Sequence, residues 1–170
     1  GLLDDALELY QSLARESNGD TKVRFEVGKS LHRLARIQNH VSDTETAAQT
    51  CAEAISLFEE LAVKVPSERA YREALAGSCR LYAFTLYLRM PQESVEATRK
   101  SLRIWDELSS DAPGRYREDQ AATKLVWAFA LTQPLRNWAE AEAILLEILP
   151  IHETRFAASP EHWWTLFSDL

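Results

Sequence analysis

Ser101-Leu102-Arg103-Ile104-Trp105-Asp106-Glu107-Leu108 decides the fold, because its pattern occurs three times. Ala54-Ile55-Ser56-Leu57-Phe58-Glu59-Glu60-Leu61 and Ala6-Leu7-Glu8-Leu9-Tyr10-Gln11-Ser12-Leu13 repeat it. Each copy is apolar at its second, fourth, fifth and eighth places, a helical spacing, with an aromatic residue (Tyr10, Phe58, Trp105) at the fifth. The copies begin 48 and 47 residues apart. Pro66, Pro113 and Pro160 form a second series, spaced by 47. Proline is excluded from helix interiors and tolerated in the first turn, so these three mark junctions between helices. Just beyond them, Tyr71-Arg72-Glu73-Ala74-Leu75-Ala76 matches Tyr116-Arg117-Glu118-Asp119-Gln120-Ala121, and Val23-Arg24-Phe25-Glu26-Val27 is a fainter copy. One period therefore holds two helices.

Extending the pattern outward predicts eight helices, at 2–17, 21–40, 44–64, 68–89, 92–110, 115–132, 137–157 and 160–169. The segments between them carry capping and breaker residues: Asn18-Gly19, Ser42-Asp43, Pro66, Met90-Pro91, Asp111-Ala112-Pro113-Gly114 and Gln133-Pro134. Turns this short force successive helices to run antiparallel. Pro150 falls inside the seventh pattern and is expected to kink or split it. A lone helix pair cannot bury its apolar faces, so the pairs are expected to stack as one domain over residues 1–170. Phe58 and Trp105 are expected at equivalent buried positions. The runs Leu81–Leu88 and Leu125–Leu131 suit middle helices packed on both sides.

Composition agrees. Hydrophobic residues make up 46% and charged residues 26%, a globular balance, and there are only five glycines and six prolines. The net charge of −7 disfavours nucleic acid as a partner. No run of 18 apolar residues is present, so no membrane span is expected, nor is a secretory signal pattern visible. Cys51 and Cys79 both sit in helical patterns and read as buried free thiols, which suits a reducing, cytoplasmic setting. Gly1 opens directly into a helical pattern and reads as a cloning remnant, with the natural protein longer at both ends.

The Tyr-Arg-x-x-Leu-Ala opening at Tyr71 and the stretch Ala139-Glu140-Ala141-Glu142-Ala143 resemble the tetratricopeptide repeat (TPR) family. They are most similar to the tandem repeats flanking the kinase domain of large bacterial serine/threonine kinases. The resemblance covers nearly the whole chain, most clearly residues 50–131, and implies an all-α fold, a right-handed stack of antiparallel helix pairs. Its period of about 47 exceeds the family's roughly 34. The glycine expected in the first helix of a pair is replaced, with Thr85 and Phe129 near that position, while the early small residue of the second helix persists as Ala97 and Ala141. No glycine-rich phosphate loop, His-Arg-Asp or Asp-Phe-Gly is present, so kinase activity is not implied.

Catalysis finds little support. His32, His40, His152 and His162 lack the spacing of a metal site and read as surface or hydrogen-bonded histidines. No Cys-His signature surrounds Cys51 or Cys79. The pairs Glu59-Glu60 and Asp106-Glu107 recur with the repeat, which suits a solvated helix face. No cofactor and no metal are expected.

The resemblance places the helices at 21–40, 68–89 and 115–132 on a concave surface. On the second of these, Ser78, Tyr82, Thr85 and Arg89 fall at spacings of 4, 3 and 4, one stripe of a helix. Thr123 and Trp127 are their nearest equivalents on the next. The expected function is a scaffold or adaptor within a longer bacterial protein, holding a partner's peptide or helix on this stripe. The alternative is a regulatory domain with a small molecule among Tyr82, Tyr87 and Trp127; an all-helical enzyme is a third class. At the other end, Trp163, Trp164 and Phe167 would make the last helix a cap on the seventh, the packing face for a further repeat, or a homodimer contact.

Overall fold

A computed structural model describes residues 2–16, 20–41, 43–132 and 134–158. These form seven α-helices and, among the described residues, no strand: α1 (Leu2–Glu16), α2 (Thr21–His40), α3 (Thr44–Lys64), α4 (Arg69–Leu86), α5 (Pro91–Asp111), α6 (Arg117–Leu131) and α7 (Trp138–Ala158). The eighth expected helix, with Pro160, His162, Trp163, Trp164 and Phe167, lies outside the described residues.

The boundaries follow from local chemistry. Asp20 caps α2 by accepting from the Lys22 and Val23 amides, and Asp43 caps α3 through Thr46 N–H. α5 starts on Pro91, whose missing amide hydrogen costs nothing there. Pro66 lies between α3 and α4, and Pro113 between α5 and α6, beside Gly114 at φ 83°. α4 ends at Leu86, three residues short of the expected boundary, and a turn donates Arg89 N–H and Met90 N–H to the Leu86 carbonyl. Pro150 does not split α7, which continues to Ala158.

Each helix packs on its neighbour in sequence. Neighbours are antiparallel: Phe25, early in α2, meets Phe58, late in α3, and Tyr82, late in α4, meets Glu93, early in α5. Alternate helices also touch, α2 with α4 and α4 with α6, and these run parallel. Phe25 meets Tyr71 while His32 meets Ser78, and Arg80 meets Asp119 while Tyr87 meets Phe129. α4 is thus packed against α2, α3, α5 and α6, and no residue within it is fully exposed.

The repeated aromatics organise the core. Phe58 is 1% exposed and Trp105 4%, so both are buried as expected. Each lies on a small residue of the preceding helix. Phe58 covers Gly28, where an added Cβ would stand 2.6 Å from the ring, and Trp105 clusters with Ala76. Most buried hydroxyls are satisfied internally, Ser109 Oγ being an exception. Thr50, Thr85, Thr98 and Thr123 each donate to the carbonyl four residues back. Ser94 and Ser101 cross from α5 to the Ala83 and Ala76 carbonyls of α4, both at 2.8 Å.

Candidate functional site

The stripe expected to bind a partner divides on folding. Ser78 and Thr123 are fully buried and Thr85 is 5% exposed, so these three are internal and not groove-lining. Ser78 Oγ lies 2.9 Å from His32 Nδ1, Thr85 donates to the Leu81 carbonyl, and Thr123 donates to the Asp119 carbonyl. Arg89 is exposed, but it belongs to the turn after α4 and not to a helical stripe. Tyr82 and Trp127 are half-buried and point away from the layer of alternate helices. Tyr82 donates to Glu93 of α5 at 2.6 Å, and Trp127 lies under Arg99 of α5 and packs against the α6–α7 core. Of the expected set, only Tyr82, Trp127 and Arg89 keep exposed surface.

The stripe of α4 that turns toward α2 and α6 is Glu73, Gly77, Arg80 and Phe84, continued by Tyr87, the C-cap residue, which keeps helical backbone angles. A Cβ at Gly77 would meet nothing within 4 Å, which marks open space over the middle of this stripe. Phe84 and Tyr87 stack at 5.6 Å, and Tyr87 reaches Phe129 of α6 at 5.9 Å. Arg80 faces Asp119 of α6 at 3.9 Å. From α2 come Lys29, which sits 4.9 Å over the Phe25 ring, and the His32 ring. Burial, and then the charges of Arg36, Arg80 and Arg33, hold the His32 pKa down to about 4 from the usual 6.5, so this imidazole is neutral at pH 7. Sequence reasoning placed Tyr87 only in the small-molecule alternative and passed over Gly77, Arg80 and Phe84, although the spacing of these four residues, 3, 4 and 3, is as regular as that of the stripe it chose.

Two hollows lie elsewhere. One, of about 390 Å³, lies on α6 and α7 and is lined mostly by apolar side chains, among them Leu125, Trp138, Leu145 and Leu149. The other, of about 310 Å³, lies between α3, α4 and α5, with Tyr82, Glu93, Cys79 and the Glu59–Lys100 ion pair in its walls. Burial, with a smaller contribution from Glu93, pushes the Tyr82 hydroxyl up to about 12. Tyr82, Tyr87 and Trp127, expected together around a small molecule, face different neighbours.

Cys51 and Cys79 are free and buried, and burial pushes both thiols up to about 12, so the nucleophilic thiolate is scarce at neutral pH. No group of three or more His, Cys, Asp or Glu among the described residues could hold a metal ion. His32 is hydrogen-bonded but largely buried, His40 is exposed and His152 half-buried. Among the described residues no helix is long and apolar enough to cross a membrane. No family model matches the chain, and neither a curated protein nor a solved structure matches it.

Proposed function

We propose that this chain is a non-catalytic protein–protein interaction module, a tetratricopeptide-like stack of helix pairs. It holds a segment of a partner protein on the face shared by α2, α4 and α6. One observation carries the reading. α4 is covered by four helices, yet along one stripe Gly77 opens to free space and Phe84 and Tyr87 remain partly exposed between the flanking helices. An aromatic floor between parallel walls suits an extended or helical peptide, because large rigid side chains give contact area at little entropic cost. The module acts as a scaffold or adaptor in a longer cytoplasmic protein of bacterial type.

Gly77→Trp tests this. The new side chain enters open space, so the fold should survive, while the face is blocked. Binding to an immobilised array of decapeptides should be lost with the melting temperature preserved. Undiminished binding would remove this face from consideration. The hollow at Tyr82 favours a second reading, a small regulatory ligand held between α3, α4 and α5. Tyr82→Ala, and not Gly77→Trp, would then be the variant that abolishes binding.

A further inference from the structure

Charge is divided between the two layers of the molecule. α2 carries five Lys or Arg against one acidic residue, α4 three against one and α6 two against two. The intervening helices are the reverse: α1, α3 and α7 each carry one base against four acids, and α5 three against five. Within a chain of net charge −7, α2 and α4 are therefore net basic helices. The concentration is greatest where α2 meets α4. Arg33 and Arg36 of the first and Arg80 of the second converge on His32 closely enough that each disfavours its protonation. Acids on these helices pair with other groups, Glu26 with Lys29 at 2.8 Å and Glu73 with Arg115 and the Tyr116 hydroxyl, while Asp119 of α6 already pairs with Arg80 of the cluster at 3.9 Å and leaves Arg33 as its outward member. Arg33 is exposed.

We infer that the α2–α4 arginine cluster selects an acidic segment of a partner protein, which lies along the Gly77–Tyr87 stripe. The inference rests on the interaction face proposed above and names the chemistry of what docks there. Three features support it. Guanidinium groups pair carboxylates in a bidentate fork and remain charged at all physiological pH. The imidazole among them is neutral and bonded to Ser78, so it adds no titrating charge. The acidic layer does not cancel the attraction either. At physiological salt the screening length is about 8 Å, while packed helices stand roughly 8–10 Å apart. A bound carboxylate therefore responds to the arginines beside it more than to the glutamates behind them.

The experiment uses the full chain and an array of decapeptides graded from strongly acidic to strongly basic. Acidic members should bind best, and raising the salt should weaken them most. Arg33→Glu should weaken them about tenfold, and Arg33→Lys should restore most of the affinity. Arg103→Glu makes the same change in net charge on the exposed acidic side of α5 and should alter affinity by less than about twofold. Equal weakening by Arg33→Glu and Arg103→Glu would reduce the effect to overall charge and overturn the inference. So would neutral or basic peptides binding as well as acidic ones; if Gly77→Trp still blocked them, the interaction face would stand without its charge preference. Single-stranded DNA displacing the acidic peptides with higher affinity would reassign the cluster to nucleic acid. Self-association abolished by Arg33→Glu would make a second copy's acidic layer the occupant.

Discussion

α5 and α7 stand at the same place in the 47-residue register, and the difference between them shows what a neighbour on each side does to a helix. Ser94 and Ala141 correspond, as do Ser101 and Ile148, and all four are buried. The register then diverges. Thr98 is fully buried, while its counterpart Leu145 is 39% exposed. Trp105 fills the core beside Ala76, Leu108 and Tyr116, while its counterpart is the half-buried His152. α5 lies between α4 and α6, so two of its faces are covered, and its charges mark the uncovered one. α7 packs chiefly on α6 and leaves Leu145, Leu146 and Leu149 outside.

The largest effect expected from this contrast concerns the aromatic position. Trp105→Ala and Phe58→Ala should each cost about 3–5 kcal/mol in chemical denaturation, the sum of lost burial and residual cavity. His152→Ala, at the same register position, should cost less than about 1 kcal/mol. Equal losses at Trp105 and His152 would mean that α7 is as enclosed as α5 and that the contrast is false.

A smaller effect tests how tightly the aromatic sits on the helix beneath it. Alanine ordinarily favours a helix over glycine by about 1 kcal/mol. At Gly77 the new methyl group enters open space, so Gly77→Ala should stabilise by about that amount. At Gly28 the methyl would press on the Phe58 ring, which is enclosed and cannot swing away. Gly28→Ala should therefore destabilise by about 1–3 kcal/mol despite the better propensity. The same substitution with opposite signs, read from the two melting curves, identifies which glycine is sterically required. Two changes of the same sign would break that assignment.

The helices themselves could be read from the sequence because their ends are local chemistry. α3 runs Thr44–Lys64, matching the expected 44–64, since Asp43 supplies the cap and Pro66 follows the end. The interaction face was less legible. A spacing of 3 and 4 identifies a stripe on a helix, but not which neighbour covers it. α4 meets four helices, so most of its stripes are interior. Polarity misled as well: Ser78, Thr85 and Thr123 look solvent-facing, yet a hydroxyl is easily satisfied inside the stack, by the helix's own carbonyl or by a neighbouring side chain. One signal was available and passed over. Gly28 and Ala76 lie 48 residues apart and Phe58 and Trp105 lie 47 apart, so the small residue beneath each aromatic repeats with it.

The smallest expected effect lies on α7 and bears on what its outer face is for. Leu146 is 63% exposed and Leu149 is 49% exposed, and both border or line the hollow of about 390 Å³ on α6 and α7. A residue with most of its surface already in water has little burial to lose. Leu146→Lys and Leu149→Lys, alone or together, should change stability by less than about 0.5 kcal/mol, a melting shift of at most a few degrees for a chain of this size. Exposed leucines side by side on one helix still form a patch that favours association. Light scattering across a concentration series should therefore show weaker self-attraction in the double variant at nearly unchanged stability. A fall of many degrees in the melting temperature would mean that these leucines are covered in solution and cost cavity energy when changed, as Trp105 does. α7 would then be a middle helix like α5.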